Sequence, residues 1–166
     1  MELSNPLLLT VKMFLADVRS WRLDYKFPSR VCTDFAKLIF DAATVQGMRC
    51  GYAIVHFEGA RTSHAVVAFE TDYGLIYIEP QTGELEDIRV GAPYPGRLEG
   101  VPGDCVVSSI SIMWNDEHQL KFIRCSDCGY LFPIEVSKNA TQDEIRRAYL
   151  KICCPVCGHD NISFSD

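Results

Sequence analysis

The sequence predicts an α+β fold followed by a small C-terminal module, and three observations lead to this view. Apolar residues recur at helical spacing in two N-terminal stretches, 5–22 and 32–46. After residue 47 the pattern changes to short apolar runs that are typical of strands, at 51–58, 63–71, 75–79 and 105–114. Five of the eight cysteines lie in the last 42 residues. We therefore expect a first domain over 1–118, with N-terminal helices packed on an antiparallel sheet, and a cysteine-rich module over 119–166.

Composition and charge exclude several classes of protein. Hydrophobic residues make up 48% of the 166 residues and charged residues 23%, so the chain can bury a core and is not a disordered chain. The net charge of −6 argues against a general nucleic-acid binder, because such binding comes mainly from neutralising phosphates. No apolar run approaches the ~20 residues of a membrane helix, so we expect no membrane partner. The N-terminal apolar stretch has no basic region before it and reads as a helix, which favours a cytoplasmic protein.

The two N-terminal helices are predicted from their start and stop signals. Asn5 is a good N-cap and Pro6 suits the first helical position, so the first helix should run from there to about Arg22. The second helix should span about 32–46, because Gly47 follows it where a C-terminal cap belongs.

The strands at 63–71 and 75–79 are predicted to form a hairpin. If Asp72 and Tyr73 form a two-residue loop, the numbers of paired residues add up to 145. Glu79 then lies opposite Val66, on the same face as His64 and diagonal to it. Diagonal neighbours are ~7–8 Å apart at the backbone, a distance that long side chains can span.

Two cysteine pairs in the C-terminal module indicate a metal site. The chain reads Cys125-Ser-Asp-Cys128-Gly and, further on, Cys154-Pro-Val-Cys157-Gly. Two such knuckles supply the four thiolates of a closed tetrahedral site, so we expect one structural Zn²⁺ bound by these four cysteines. Two unmetallated thiol pairs or a redox Cys-x-x-Cys are the alternatives. Cys153 should point elsewhere, and His159 is a possible substitute ligand.

The module resembles a zinc ribbon with an inserted helix. Thr141 and Glu144 form a capping box, which predicts a helix over about 142–152. Residues 136–152 also resemble a helix of J-domain co-chaperones, but the chain lacks that family's His-Pro-Asp loop, so we do not expect a co-chaperone. Basic and acidic residues balance within 119–166, which argues against a nucleic-acid partner and fits a purely structural module or a surface that docks a protein.

A candidate catalytic triad consists of Cys32, His64 and Glu79. Cys32 begins the second predicted helix, whose positive end favours a thiolate. His64 lies near the start of one strand and Glu79 at the end of the next, where a carboxylate can orient the imidazole. Nucleophile, base and acid in this relation are typical of thiol acyl-transfer enzymes.

The order of these residues resembles the core of the transglutaminase-like superfamily. The resemblance covers about residues 25–82. The matching segments are Val31-Cys-Thr-Asp-Phe-Ala36, Ala43-Thr-Val-Gln-Gly-Met-Arg-Cys-Gly51, Ser63-His-Ala65 and Tyr77-Ile-Glu-Pro80. It implies a papain-like fold with Cys32 as nucleophile, His64 as base and Glu79 as orienting acid. Two departures are the glutamate, where the superfamily usually has aspartate, and Val66, where an aromatic residue often follows.

We therefore expect a cysteine-dependent amide hydrolase or acyl transferase that acts on a peptide or another amide. The alternative is a non-enzymatic scaffold of the same fold whose zinc module docks a protein partner. The exposure of Cys32 distinguishes the two, because an enzyme needs its thiol accessible beside His64, whereas a scaffold can bury it. The oxyanion hole should use the Cys32 backbone N–H and a second donor, for which Gln81 and Tyr25 are candidates. The first domain needs no metal for this chemistry, so we expect metal removal to affect only the C-terminal third.

Overall fold

The computed structural model describes the ranges 2–27, 30–60, 63–96, 104–117 and 119–165. Within these ranges the helices are α1 (Leu8–Val18), α2 (Cys32–Val45) and α3 (Gln142–Tyr149). The strands are β1 (Gly51–Phe57), β2 (Ser63–Thr71), β3 (Gly74–Glu79), β4 (Glu84–Glu86), β5 (Val107–Trp114), β6 (Gln119–Cys125), β7 (Leu131–Val136) and β8 (Ile162–Ser165). None of the described helices is both long enough and apolar enough to cross a membrane. Residue 118, the predicted end of the first domain, lies outside the described ranges.

The strands form two antiparallel sheets, and the predicted α+β class is confirmed. The larger sheet has the order β4-β3-β2-β1-β5, and the smaller has the order β7-β6-β8. In the β2–β3 hairpin Val67 pairs with Ile78 and Thr71 pairs with Gly74. The residue numbers of each pair add up to 145, so the predicted register is confirmed. The short strand β4 lies at the edge of the larger sheet and pairs with β3.

The first helix differs from its prediction at both ends. α1 begins at Leu8 rather than at Asn5 and Pro6, and the Leu7 side chain makes no capping hydrogen bond. Asp72 replaces the local cap, because its Oδ1 accepts the backbone N–H of Leu8 at 2.7 Å. At the other end Arg19 has a left-handed φ of 52°, which stops the helix and leads into a separate 3₁₀ turn, Ser20–Arg22.

The later elements follow their predictions more closely. α2 ends at Val45, and Gly47 has the positive φ of 76° that the predicted cap requires. α3 starts with the predicted capping box, in which Thr141 and Glu144 satisfy each other's backbone N–H groups, but it ends at Tyr149.

One hydrophobic core joins the two sheets through α2. Phe122 of β6 and Leu131 of β7 belong to the same buried cluster as Phe40 of α2 and Tyr52 of β1. The Phe122 ring makes an edge-to-face contact with the Tyr52 ring, with centroids 5.5 Å apart. The division at residue 118 into two domains stays a prediction, but the smaller sheet is packed directly against the helix that begins at Cys32.

Candidate active site and metal site

Cys32 is the first residue of α2 and its side chain is partly exposed. The residue before it, Val31, has an extended backbone, and its N–H donates to Asp34 Oδ2 at 2.9 Å. The N–H groups of the first helical turn have no partner within the helix and carry the positive end of the helix dipole. Cys32 therefore lies at the positive end of the helix dipole.

His64 and Glu79 form a buried hydrogen-bonded pair. Their exposed fractions are 4% and 3%, and His64 Nε2 lies 2.6 Å from Glu79 Oε2. The hairpin register, with β2 and β3 side by side, brings the two side chains together. Cys32 is near enough to raise the pKa of His64, and because Glu79 occupies Nε2, Nδ1 is the ring nitrogen left to face the thiol. The structure thus brings together all three residues that the sequence singled out.

The electrostatics of this cluster favour a charged imidazole. Burial alone lowers the pKa of His64, but its interactions with Cys32 and with Glu79 raise that pKa from 6.5 to about 9. Burial likewise raises the pKa of Glu79, and this effect is outweighed by His64, by Tyr94 and by the backbone N–H of Gln81, so the net shift is downward. A protonated imidazole and an ionised Glu79 carboxylate therefore stabilise each other here.

Tyr94 is a member of this cluster that the sequence did not predict. Its hydroxyl donates to Glu79 Oε2 at 2.7 Å, and its ring meets the His64 ring edge to face with centroids 5.4 Å apart. Burial raises the pKa of Tyr94, and the Glu79 charge adds to the rise, so the hydroxyl keeps its proton and stays a donor. A tyrosine between two prolines, Pro93 and Pro95, is the one local signal of an anchored side chain. Nothing in that signal indicates which carboxylate it reaches.

The two candidates for the second oxyanion donor lie in different surroundings. The backbone N–H of Gln81 donates to Glu79 Oε1 at 3.1 Å and so helps to hold the carboxylate. The Tyr25 side chain is half-buried. The Cys32 backbone N–H and the second donor remain predictions.

The four predicted metal ligands lie together in the second part of the chain. The sulfur atoms of Cys125, Cys128, Cys154 and Cys157 all lie within 4.8 Å of one another. The Sγ atoms of Cys125 and Cys157 are 3.5 Å apart, and those of Cys128 and Cys154 are 3.6 Å apart. A tetrahedral site with ~2.3 Å metal–sulfur bonds has sulfur–sulfur edges of about 3.8 Å. The four cysteines therefore fit one tetrahedral metal ion.

Both halves of this cluster have the same backbone geometry. Gly129 and Gly158 donate their N–H groups to the carbonyls of Cys125 and Cys154, each at 2.8 Å, and both glycines have positive φ. The backbone carbonyls of Tyr130 and His159 accept the backbone N–H groups of Cys125 and Cys154, respectively. A hydrogen bond from the Cys128 backbone also lowers the pKa of the Cys125 thiol to about 7, against the opposing effect of burial. We call these two turns the first and the second knuckle.

The remaining cysteines and His159 lie outside the four-sulfur cluster. Cys153 is exposed, next to the buried ligand Cys154. His159 Nδ1 lies 2.9 Å from Asp127 Oδ2, and this contact links the second knuckle to the first. Cys50 is fully buried, and burial raises the pKa of its thiol. Cys105 is half-buried.

Comparison of the whole chain with protein-family models and with curated proteins finds no match.

Proposed function

We propose that this protein is a cysteine-dependent amide hydrolase or acyl transferase of the transglutaminase-like type, with a papain-like core. One observation carries the proposal: the buried His64 imidazole is hydrogen-bonded to Glu79, and Cys32, at the start of a helix, is near enough to raise the pKa of that imidazole. Cys32 would act as the nucleophile, His64 as the general acid and base, and Glu79 as the residue that orients the ring.

The proposed reaction has two steps. In the first, the Cys32 thiolate attacks the carbonyl carbon of an amide, and the imidazolium of His64 gives its proton to the nitrogen of the departing amine. This leaves a thioester on Cys32 and a neutral His64. In the second step His64 takes a proton from water or from an acceptor amine, which attacks the thioester and releases the Cys32 thiolate. Water gives hydrolysis, and an amine gives acyl transfer.

Glu79 and Tyr94 support this proton transfer without contacting the substrate in the proposal. Glu79 holds Nε2 of His64 and stabilises its positive charge. Tyr94 donates to the same carboxylate oxygen and covers the ring edge to face, which keeps the pair out of water. Both residues are therefore expected to set the orientation and charge of His64.

We propose that the four-cysteine cluster binds one Zn²⁺ with a structural role. Four thiolates complete a tetrahedral coordination shell and leave no position for a substrate. The ion would join the two knuckles, which otherwise contact each other through side chains such as His159 and Asp127. A protein partner could dock on this module, as the balanced charge of 119–166 suggested.

The partial exposure of Cys32 supports the enzyme over a non-enzymatic scaffold. A scaffold could bury the thiol completely, as the fold does for Cys50. Cys32 instead keeps access to solvent and lies near enough to His64 to raise the pKa of the imidazole. The proposed chemistry needs a free thiol, so we also propose a reducing, cytoplasmic location.

The reactivity of single thiols tests this proposal. The zinc-loaded protein is treated briefly with iodoacetamide near neutral pH, and each cysteine is quantified by peptide mass spectrometry. We expect Cys32 to react faster than the more exposed Cys153, because His64 favours its thiolate, and Cys50 to resist. A thiol-reactive substrate probe should label wild type and a Cys105→Ala control but not Cys32→Ala. Cys32 reacting no faster than Cys153 would show that it is an ordinary thiol.

A further inference from the structure

Arg124 lies between the first knuckle and the helix that begins at Cys32. Its Nη1 donates to the carbonyl of Gly129 at 2.8 Å, and Gly129 closes the first knuckle. Its Nη2 donates to Asp34 Oδ1 at 2.9 Å. The Arg124 side chain is 36% exposed and Asp34 is 14% exposed, so this ion pair is partly shielded from water.

The second oxygen of Asp34 continues the connection to Cys32. Asp34 Oδ2 accepts the backbone N–H of Val31 at 2.9 Å, directly before Cys32 in the chain. Hydrogen bonds therefore run without a break from the first knuckle, through Arg124 and Asp34, to the start of α2. We call this set of contacts the Arg124 bridge.

Packing holds the two ends of the bridge in register. Phe122, two residues before Arg124, belongs to the same core cluster as Ala36 and Phe40 of α2. The Lys37 ammonium of α2 lies 4.9 Å from the centre of the Phe122 ring. These contacts fix the segment just before Arg124 against α2, so Arg124 lies between a fixed point and the first knuckle.

The bridge requires an arginine. A guanidinium is a rigid planar fork whose two terminal nitrogens can serve different acceptors at once. The ammonium of a lysine is a single point of charge, which can neutralise Asp34 but cannot also hold the Gly129 carbonyl at the same distance. The two functions of Arg124 can therefore be separated by substitution.

We propose that Arg124 is a positioning residue that couples metal binding at the four cysteines to the reactivity of Cys32. The inference rests on the proposed function, since it takes Cys32 to be the reactive thiol. With the first knuckle fixed, Arg124 holds and neutralises Asp34. With the knuckle loosened, Arg124 loses its second acceptor, and the Asp34 carboxylate, two residues from Cys32, opposes a thiolate. Metal removal then reaches the active site, contrary to the expectation from sequence that it affects only the C-terminal third.

The test measures the iodoacetamide alkylation rate of Cys32 with zinc bound and after chelation. In wild type we expect chelation to slow Cys32 about fivefold, the size of a good charge effect at a helix start. With zinc bound, Cys32 of Arg124→Gln should react about fivefold more slowly than Cys32 of wild type, and this rate should change little on chelation. Arg124→Lys should react close to the wild-type rate and also lose the response to chelation. The control is Arg147→Gln, an exposed arginine on α3, which should behave as wild type.

A second variant keeps the test decisive if Arg124→Gln fails to hold zinc. Asp34→Asn can still accept the Val31 N–H but has no charge for Arg124 to neutralise, so its Cys32 rate should not respond to chelation. Zinc content and hydrogen exchange of α2 are measured for every variant. The coupling would be overturned if chelation left the Cys32 rate of wild type unchanged. It would also be overturned if chelation slowed Cys32 as much in Asp34→Asn as in wild type. If Cys32 of zinc-loaded wild type reacts no faster than Cys153, the proposed function itself fails instead.

Discussion

The two cysteine sites of this protein are built in opposite ways. Cys32, His64 and Glu79 come from α2, β2 and β3, and the core of the larger sheet brings them together. The four cysteines of the metal site come from two short turns, each of which presents its pair of sulfurs locally. In the first site the charges of His64 and Glu79 are partnered by each other within the protein. In the second, four thiolates would repel one another without a cation.

This difference indicates which parts of the chain depend on each site. The hydrophobic core of the larger sheet holds the triad in place. Removing one of the triad's groups should therefore change the reactivity of Cys32 far more than the stability of the fold. The C-terminal module has a small core of its own, built around Ile123, Phe132 and two of the ligands, Cys125 and Cys154. Small cores of this kind need a metal or another crosslink for stability.

Loss of a metal ligand should have the largest effect on the structure. In Cys154→Ser we expect loss of bound zinc and loss of amide hydrogen-exchange protection in α3 and β8, because metal binding contributes to the folding free energy of this part. Elemental analysis and hydrogen exchange measure the two. Cys153→Ser is the matched control and should retain both. Equal zinc loss in the two variants would show that the ligand set is wrong.

Glu79→Gln should have a smaller effect that is confined to the triad. The amide keeps the shape of the side chain but cannot stabilise a charged imidazole, so the alkylation rate of Cys32 near neutral pH should fall about tenfold to a hundredfold. Thermal unfolding reports whether the fold is retained. The control is Glu84→Gln, an exposed carboxylate directly opposite Glu79 in the sheet. An unchanged Cys32 rate in Glu79→Gln would show that Glu79 has no part in the site, which would then be a dyad of Cys32 and His64.

Tyr94→Phe should have the smallest effect of the three. It removes one hydrogen bond to a buried carboxylate and keeps the ring against His64. We expect the free energy of unfolding to fall by about 1–2 kcal/mol and the Cys32 rate to fall by severalfold. Tyr73→Phe, on an exposed tyrosine of the β2–β3 loop, serves as the control for urea unfolding. A Tyr94→Phe variant as stable as wild type would mean that Glu79 does not need this donor.

The features that the sequence predicted are those with local signals. Alternating apolar residues and a two-residue loop were enough to predict the hairpin register that places Glu79 near His64. Cys-x-x-Cys-Gly spacing was enough to predict which four sulfurs lie together, and the Thr141–Glu144 capping box marked the start of α3. In each case residues close in sequence determine the geometry.

The features that the sequence did not predict depend on contacts between distant segments. Asp72 caps α1 from the β2–β3 loop, so the local signal at Asn5 was wrong. Tyr94 lies in a loop and donates a hydrogen bond to Glu79, and Arg124 lies in the smaller sheet and donates one to Asp34 of α2. Composition and spacing hold no information about which distant polar group each of these side chains meets.

The charge of His64 is the central claim of this account, and an NMR titration of the histidine side chains measures it directly. The protein has four histidines, and a His64→Gln variant identifies the His64 signal. We expect the wild-type imidazole to keep its proton through neutral pH and to lose it near its pKa of about 9, because Cys32 and Glu79 both stabilise the charged ring. In Cys32→Ala that pKa should fall, since Cys32 is one of the groups that raise it. A wild-type His64 that loses its proton near pH 6.5, or a titration that Cys32→Ala leaves unchanged, would contradict the thiolate–imidazolium pair.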